Sequence, residues 1–284
     1  MGMMGGSLAA GRRHSVACHR DGTVVAVGHG GAQECRVERW ADIVAVAAGN
    51  VHTAANTGRS HTVGLRADGT VLATGWNSDG QCDLEQWQEV VAVSAGWRRT
   101  LGLLADRSVV AAGRNCEGQC EVQSWRDIAA VSCGDWHSVG LRVDGRALAV
   151  DNNQRGQCAV ADWRDLTNIA AGYLHTIGLQ GDGRVVAAGD VRTGACEVSG
   201  WKSVIALAAG SYHTVGVTAS GRAVAAGDNS HGQCGLEDWR DIIAVAAGST
   251  HTLGLRADGT LLSAGNNADH QCDIGSWTGI RIAG

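Results

Sequence analysis

The chain has 284 residues, a net charge of −5, forty-two glycines, ten tryptophans, no proline and no phenylalanine. Lys202 is the only lysine, so no basic stripe exists to follow a phosphate backbone, and nucleic acid is excluded as the expected partner. Abundant glycine with little Leu, Glu and Lys also excludes a helical bundle and describes tight turns between short, small-residue segments.

At the start, Met1 to Arg13 lack the apolar core of an export signal, and no run of about 18 apolar residues follows anywhere. No membrane contact is expected, and a cytoplasmic protein is the default reading. Residues 1–7 read as a loose tail. His14 then opens a unit that recurs seven times. A framework tryptophan marks the copies at Trp40, Trp87, Trp125, Trp163, Trp201, Trp239 and Trp277, and a cysteine at Cys35, Cys82, Cys120, Cys158, Cys196, Cys234 and Cys272. A histidine does the same at His14, His61, His137, His175, His213 and His251, with Arg99 replacing it once. The tryptophan step is 38 residues except for a first step of 47. A continuous period of this length leaves no boundary, so residues 1–284 read as one domain.

Each copy begins with a hairpin. The stretches His213 to Val217 and Arg222 to Ala226 are β-prone, and Ser220-Gly221 lies between them. In most copies the turn is Asp-Gly, as at Asp21-Gly22, Asp68-Gly69, Asp144-Gly145, Asp182-Gly183 and Asp258-Gly259, where glycine accepts positive φ and aspartate bonds the local backbone. A third strand follows the tryptophan, as in Asp241 to Gly248, with side chains small enough for a crowded centre. A short fourth strand is expected near Gln233 to Leu236. Three or four antiparallel strands in each of seven copies predict an all-β, seven-bladed β-propeller. The last copy ends at Ile280 to Gly284, the strand that should precede His14, so the ring is expected to close by pairing the C-terminal strand with the first repeat. Leu8 to Gly11 is a second candidate for that slot, which leaves one segment surplus.

The periodic residues read as framework. A metal needs several ligands converging on one ion, whereas a repeat spreads its histidines and cysteines around a ring. The histidines are expected to fix their strands by backbone hydrogen bonds, and the cysteines to be reduced, buried small hydrophobes. Cys116 and Cys120 form one isolated C-x-x-x-C. The tryptophans read as wedges between blades, and the following acids Asp42, Asp127, Asp165 and Asp241 as turn caps. No Ser-His-Asp set, phosphate loop or carboxylate pair stands apart from the repeat. No catalytic residue, cofactor or metal is therefore expected, and the chain does not read as an enzyme.

The unit A-A-G-x-x-H-T-x-G-L-x-x-D-G-x-V-x-A-x-G-x-N-x-x-G-Q-C, carried from about Leu8 to Gly284, resembles the regulator of chromosome condensation repeat. It departs from that pattern at Arg99, at Asp106-Arg107, and at positions such as Ala188-Gly189, where the family has Trp-Gly. The resemblance implies a propeller, and the short units are more similar to bacterial members, among them a propeller that inhibits β-lactamases, than to the eukaryotic exchange factor.

Subtracting the framework leaves Trp76, Trp97, Trp136, Tyr173 and Tyr212. A hairpin that leaves one face returns to it, so all five fall on one face, opposite the Asp-Gly turns. Arg98, Arg114, Asp135 and Leu174 join them as candidate partner-binding residues, with Arg12, Arg13, Arg155 and Arg192 nearby and Asp190 and Asp228 as counter-charges. Such aromatics and arginines either anchor a protein interface or pack over the channel mouth. The nine-residue excess makes an enlarged loop over residues 50–60 on the same face, where Gly49-Asn50-Val51-His52-Thr53 is echoed by Gly58-Arg59-Ser60-His61-Thr62. It reads equally as a partner contact or a tolerated insertion. A monomeric propeller that binds a protein partner without catalysis is the leading expectation. The resemblance adds two alternatives, nucleotide exchange on a small GTPase and β-lactamase inhibition.

Overall fold

The computed structural model describes residues 6–52, 59–151 and 153–282. Among these, the chain forms seven three-stranded antiparallel sheets, the expected seven-bladed β-propeller. The second sheet is typical, with an inner strand Ile43–Ala48, a middle strand His61–Arg66 and an outer strand Val71–Gly75. Its hairpin turn follows from the sequence. The Asp68 carboxylate accepts both the Thr70 N–H at 2.9 Å and the Thr70 hydroxyl at 2.7 Å, and Gly69 takes φ of +82°.

Framework tryptophans explain the glycine of H-T-x-G-L. A Cβ on Gly140 would stand 2.6 Å from Trp125 Cζ3, and one on Gly216 2.8 Å from Trp201 Cζ3, so each ring lies on bare backbone. The same rings pack into hydrophobic clusters that draw on two adjacent blades, as wedges between them. The acids that follow act through their backbones rather than as side-chain caps. Asp42, Asp127, Asp165 and Asp241 have φ of 61°, 56°, 57° and 59°, and Asp42 O accepts the Ala67 N–H at 2.9 Å. This left-handed corner is one that aspartate tolerates better than most side chains.

No fourth strand forms near Gln233 to Leu236. That stretch spends its donors locally: Asn229 Oδ1 accepts the Cys234 N–H at 2.8 Å, and Leu236 N–H reaches Cys234 O at 2.9 Å. The repeat cysteines belong to this loop. All ten cysteines are free, and six of the seven repeat cysteines are half-buried rather than buried; Cys234 Sγ donates to Asp228 O at 3.3 Å. Burial pushes the Cys82 thiol up to about 12 and the Cys234 thiol to about 11.

The repeat histidines do not bond backbone. Each Nε2 instead reaches the Thr or Ser hydroxyl of the next blade: His14 to Thr62 (2.9 Å), His61 to Thr100 (2.9 Å), His137 to Thr176 (2.7 Å) and His175 to Thr214 (3.1 Å). His213 to Thr252 (2.9 Å) and His251 to Ser15 (3.0 Å) complete the circuit, with Arg99 Nε on Ser138 (3.0 Å) standing in once. Each hydroxyl gives its only proton to a loop carbonyl, as Thr62 does to Glu34 O at 2.6 Å, so the imidazole must donate from Nε2. A closed girdle of side-chain bonds therefore runs from blade to blade.

Closure uses both ends of the chain. Leu8–Ala10 pairs with the first middle strand in the register Leu8 to Ala17, Ala9 to Val16 and Ala10 to Ser15. Ile280 bridges His19, and Arg281 N–H donates to Cys18 O at 2.9 Å. The expected C-terminal pairing with the first repeat is present, but neither candidate segment is surplus, because the two halves fill one strand position. Gly6 and Ser7 are tied in by bonds from Val46 N–H (2.9 Å) and Cys18 N–H (2.8 Å), so the looseness expected over residues 1–7 does not hold at these two, and residues 1–5 lie outside the described residues. The inner strands line a central cavity of about 280 Å³ with small side chains such as Ala47, Ala95, Ala170 and Ala208.

Candidate functional site at the channel mouth

Two concentric rings build the mouth, and the G-x-x-H spacing explains both. The first x of each copy leads toward the channel axis and supplies Arg12, Trp97, Asp135, Tyr173, Ser211 and Ser249. The second x lies further out and supplies Arg13, Ser60, Arg98, Trp136, Leu174, Tyr212 and Thr250. The loop after each outer strand adds Trp76, Arg114, Asp190 and Asp228.

The start of the enlarged loop occupies the inner ring. Asn50, Val51 and His52 are buried, and they bind residues from several blades. Ser249 Oγ donates to Val51 O at 2.5 Å and lies 2.8 Å from the Asn50 side-chain amide. His52 N–H donates to Asp135 Oδ2, and its Nδ1 lies 3.2 Å from the same oxygen. The His52 ring stacks on Tyr173 at 4.6 Å, meets the edge of Trp97 at 5.4 Å and lies 5.9 Å from Trp136. Nothing in the repeat pattern signals that this insertion folds inward; the one hint is its imperfect copy of the blade start. The enlarged loop's residues 53–58 lie outside the described residues.

Several expected contact residues are brought together, and two are covered. Trp97 and Trp136 pack at 4.6 Å, and Tyr173 and Tyr212 at 5.4 Å. Trp97 is only 7% exposed and Asp135 is fully buried, because the loop closes over them, so these two are not on an open surface as expected. Trp76, Arg98, Arg114, Trp136, Tyr173, Leu174 and Tyr212 keep partial exposure. Arginines lie on the aromatic faces: Arg98 and Arg114 are 4.8 and 5.3 Å from the Trp97 centroid, and Arg59 is 5.5 Å from that of Trp76.

Tyr212 stands between two hollows. One, about 170 Å³, is lined by Tyr173, Leu174, Asp190, Arg192 and Tyr212, and the other, about 400 Å³, by Arg12, Arg13, Tyr212, Asp228 and Asp269. Hydrogen bonds from Arg192 pull the Asp190 carboxyl down to about 2, and Arg155 approaches the same group at 3.9 Å. Arg13 pairs with Asp269 at 3.6 Å and Arg98 with Asp79 at 3.5 Å. Asp190 is thus the counter-charge expected, whereas Asp228 bonds Ser230 at 2.9 Å and Gln233 at 2.9 Å. The arrangement offers an aromatic surface with held arginines around a filled mouth.

The family model described as regulator of chromosome condensation (RCC1) repeat matches residues 56–81, 90–119, 204–233 and 242–271. Among solved structures, Prp20p from Saccharomyces cerevisiae is similar over 96% of this chain and 86% of its own, with a TM-score of 0.72 and 16% identity. The CRINKLY WD40 ectodomain of the Arabidopsis thaliana receptor kinase ACR4 is similar over 93% of this chain and 98% of its own, with a TM-score of 0.71 and 19% identity. Human WBSCR16 covers 87% of this chain and 85% of its own length, with a TM-score of 0.68 and 18% identity. Identities this low carry the fold alone. No curated protein matches the sequence.

Proposed function

We propose that this chain, a propeller of the RCC1-repeat family, is a non-enzymatic module that binds a protein partner across the outer ring of the plugged mouth. One observation carries the reading: Trp76, Trp136 and Tyr212 stay partly exposed beside Arg98, Arg114 and Arg192, although the inner ring is already filled by the chain itself. If the aromatics served only to stop the channel, the inner ring and the Asn50–His52 segment would suffice. Tryptophan, tyrosine and arginine with water-excluding neighbours are the residue types that dominate interface energies. Prp20p is described by its binding to Gsp1p and histones, which fits a protein-binding role for the fold without naming this chain's partner.

A Trp76→Ala, Trp136→Ala, Tyr212→Ala variant should keep the parental thermal midpoint within a few degrees, since none of the three is fully buried. In affinity purification with quantitative mass spectrometry it should lose the proteins that the parent retains. Equal recovery by both would remove the outer ring as the binding surface.

A further inference from the structure

The ring that His52 fills has the composition of a binding site in its own right. Trp97, Trp136 and Tyr173 form three aromatic walls, at 5.4, 5.9 and 4.6 Å from the imidazole centroid. At its floor lies Asp135, fully buried. A buried carboxylate is costly unless it is paired, and among the described residues its ion-pair contact is with His52 alone. Arg99, the nearest buried guanidinium, bonds the Asp135 backbone oxygen at 3.0 Å rather than the carboxylate, and Arg12 contributes its field across the mouth. Asp135 Oδ2 is taken by His52, and Asp135 Oδ1 is buried without a hydrogen-bond partner.

We infer that the inner ring is a cage for an organic cation, which His52 occupies in cis. Aromatic faces attract cations through their quadrupoles, and an anion beneath them adds the charge that desolvation would otherwise penalise. The free acceptor is a single oxygen, so a compact ammonium fits better than a guanidinium, whose fork requires two. The occupant from outside is a lysine ammonium, or its methylated form, presented by a partner segment that displaces the Asn50–His52 segment. This rests on the mouth being the recognition face, and it concerns the site around His52, to which the outer ring contributes Trp136 alone.

His52→Ala keeps the backbone N–H that Asp135 accepts while vacating the cage. Titrated with tetramethylammonium chloride against sodium chloride at equal ionic strength, and followed by tryptophan fluorescence, the variant should bind at least tenfold more tightly than the parent. Adding Asp135→Asn should abolish the gain. A response no larger than with sodium chloride, or one that survives Asp135→Asn, overturns the cage. A second comparison needs no ligand: at pH 8, His52→Lys should melt several degrees above His52→Met, which has similar length and no charge. An equal or lower midpoint for His52→Lys also overturns it. Both comparisons change only residues 52 and 135 and keep every outer-ring side chain, so failure here is separable from the partner-capture result.

Discussion

At the residue scale, most of the architecture is set by what each position forbids. The middle-strand glycine exists because a tryptophan ring lies where its Cβ would be. Gly140→Ala, placing a methyl 2.6 Å from Trp125 Cζ3, should cost about 1–3 kcal/mol, read as a lowered urea midpoint with unchanged m-value. Ala17 holds the equivalent place in the first blade and packs in the same cluster as Trp277, so that sheet already accommodates a methyl. These framework roles were legible from the period, because a residue that returns every 38 positions is answering a repeated steric demand. The partners of the histidines were not. Each bonds a hydroxyl in the next copy, and spacing along one copy carries no information about contacts across the ring. Asp135 and Trp97 were misread as open for a related reason: their cover comes from Asn50–His52, remote in sequence.

At the element scale, the first inner strand is a junction. Leu8–Ala10 and Ile280 share it, with Cys18 donating to Ser7 and accepting from Arg281. Ile280 is fully buried, like Ile43 and Ile242 at the matching place in other blades. Ile280→Ala should therefore destabilise the whole protein by about 2–5 kcal/mol, the range for a core truncation, instead of merely fraying one end. Chemical denaturation followed by both near- and far-ultraviolet circular dichroism distinguishes the two: one coincident, shifted transition is expected, and an unchanged midpoint would show that the bridge does not close the ring. The sequence pointed to both segments as candidates. Choosing between them was a false alternative, because strand length per blade was read from the consensus and not from which registers each fragment could reach.

At the scale of the whole molecule, the girdle links the seven sheets, and six of its seven links run through imidazoles that must stay uncharged. Burial lowers His14, His137 and His213 to about 3, and His61, His175 and His251 to about 4, all from an ordinary 6.5. Their folded values lie below the unfolded one, so their contribution is complete above pH 6.5 and is lost as pH falls toward 4, where only the unfolded chain takes up protons. Each costs roughly 1 kcal/mol of stability per pH unit in that window, so denaturation midpoints should drop steeply and together between pH 7 and pH 5. A flat profile there would mean that the imidazoles are solvated. The seven-fold ring itself was legible from sequence, since period and strand pattern determine it, while the plugged mouth was not, since it depends on the single copy that breaks the period. The shared first strand also bears on synthesis. The first blade is made long before Ile280, so its sheet must wait, with one edge unsealed, until the seventh blade has been synthesised.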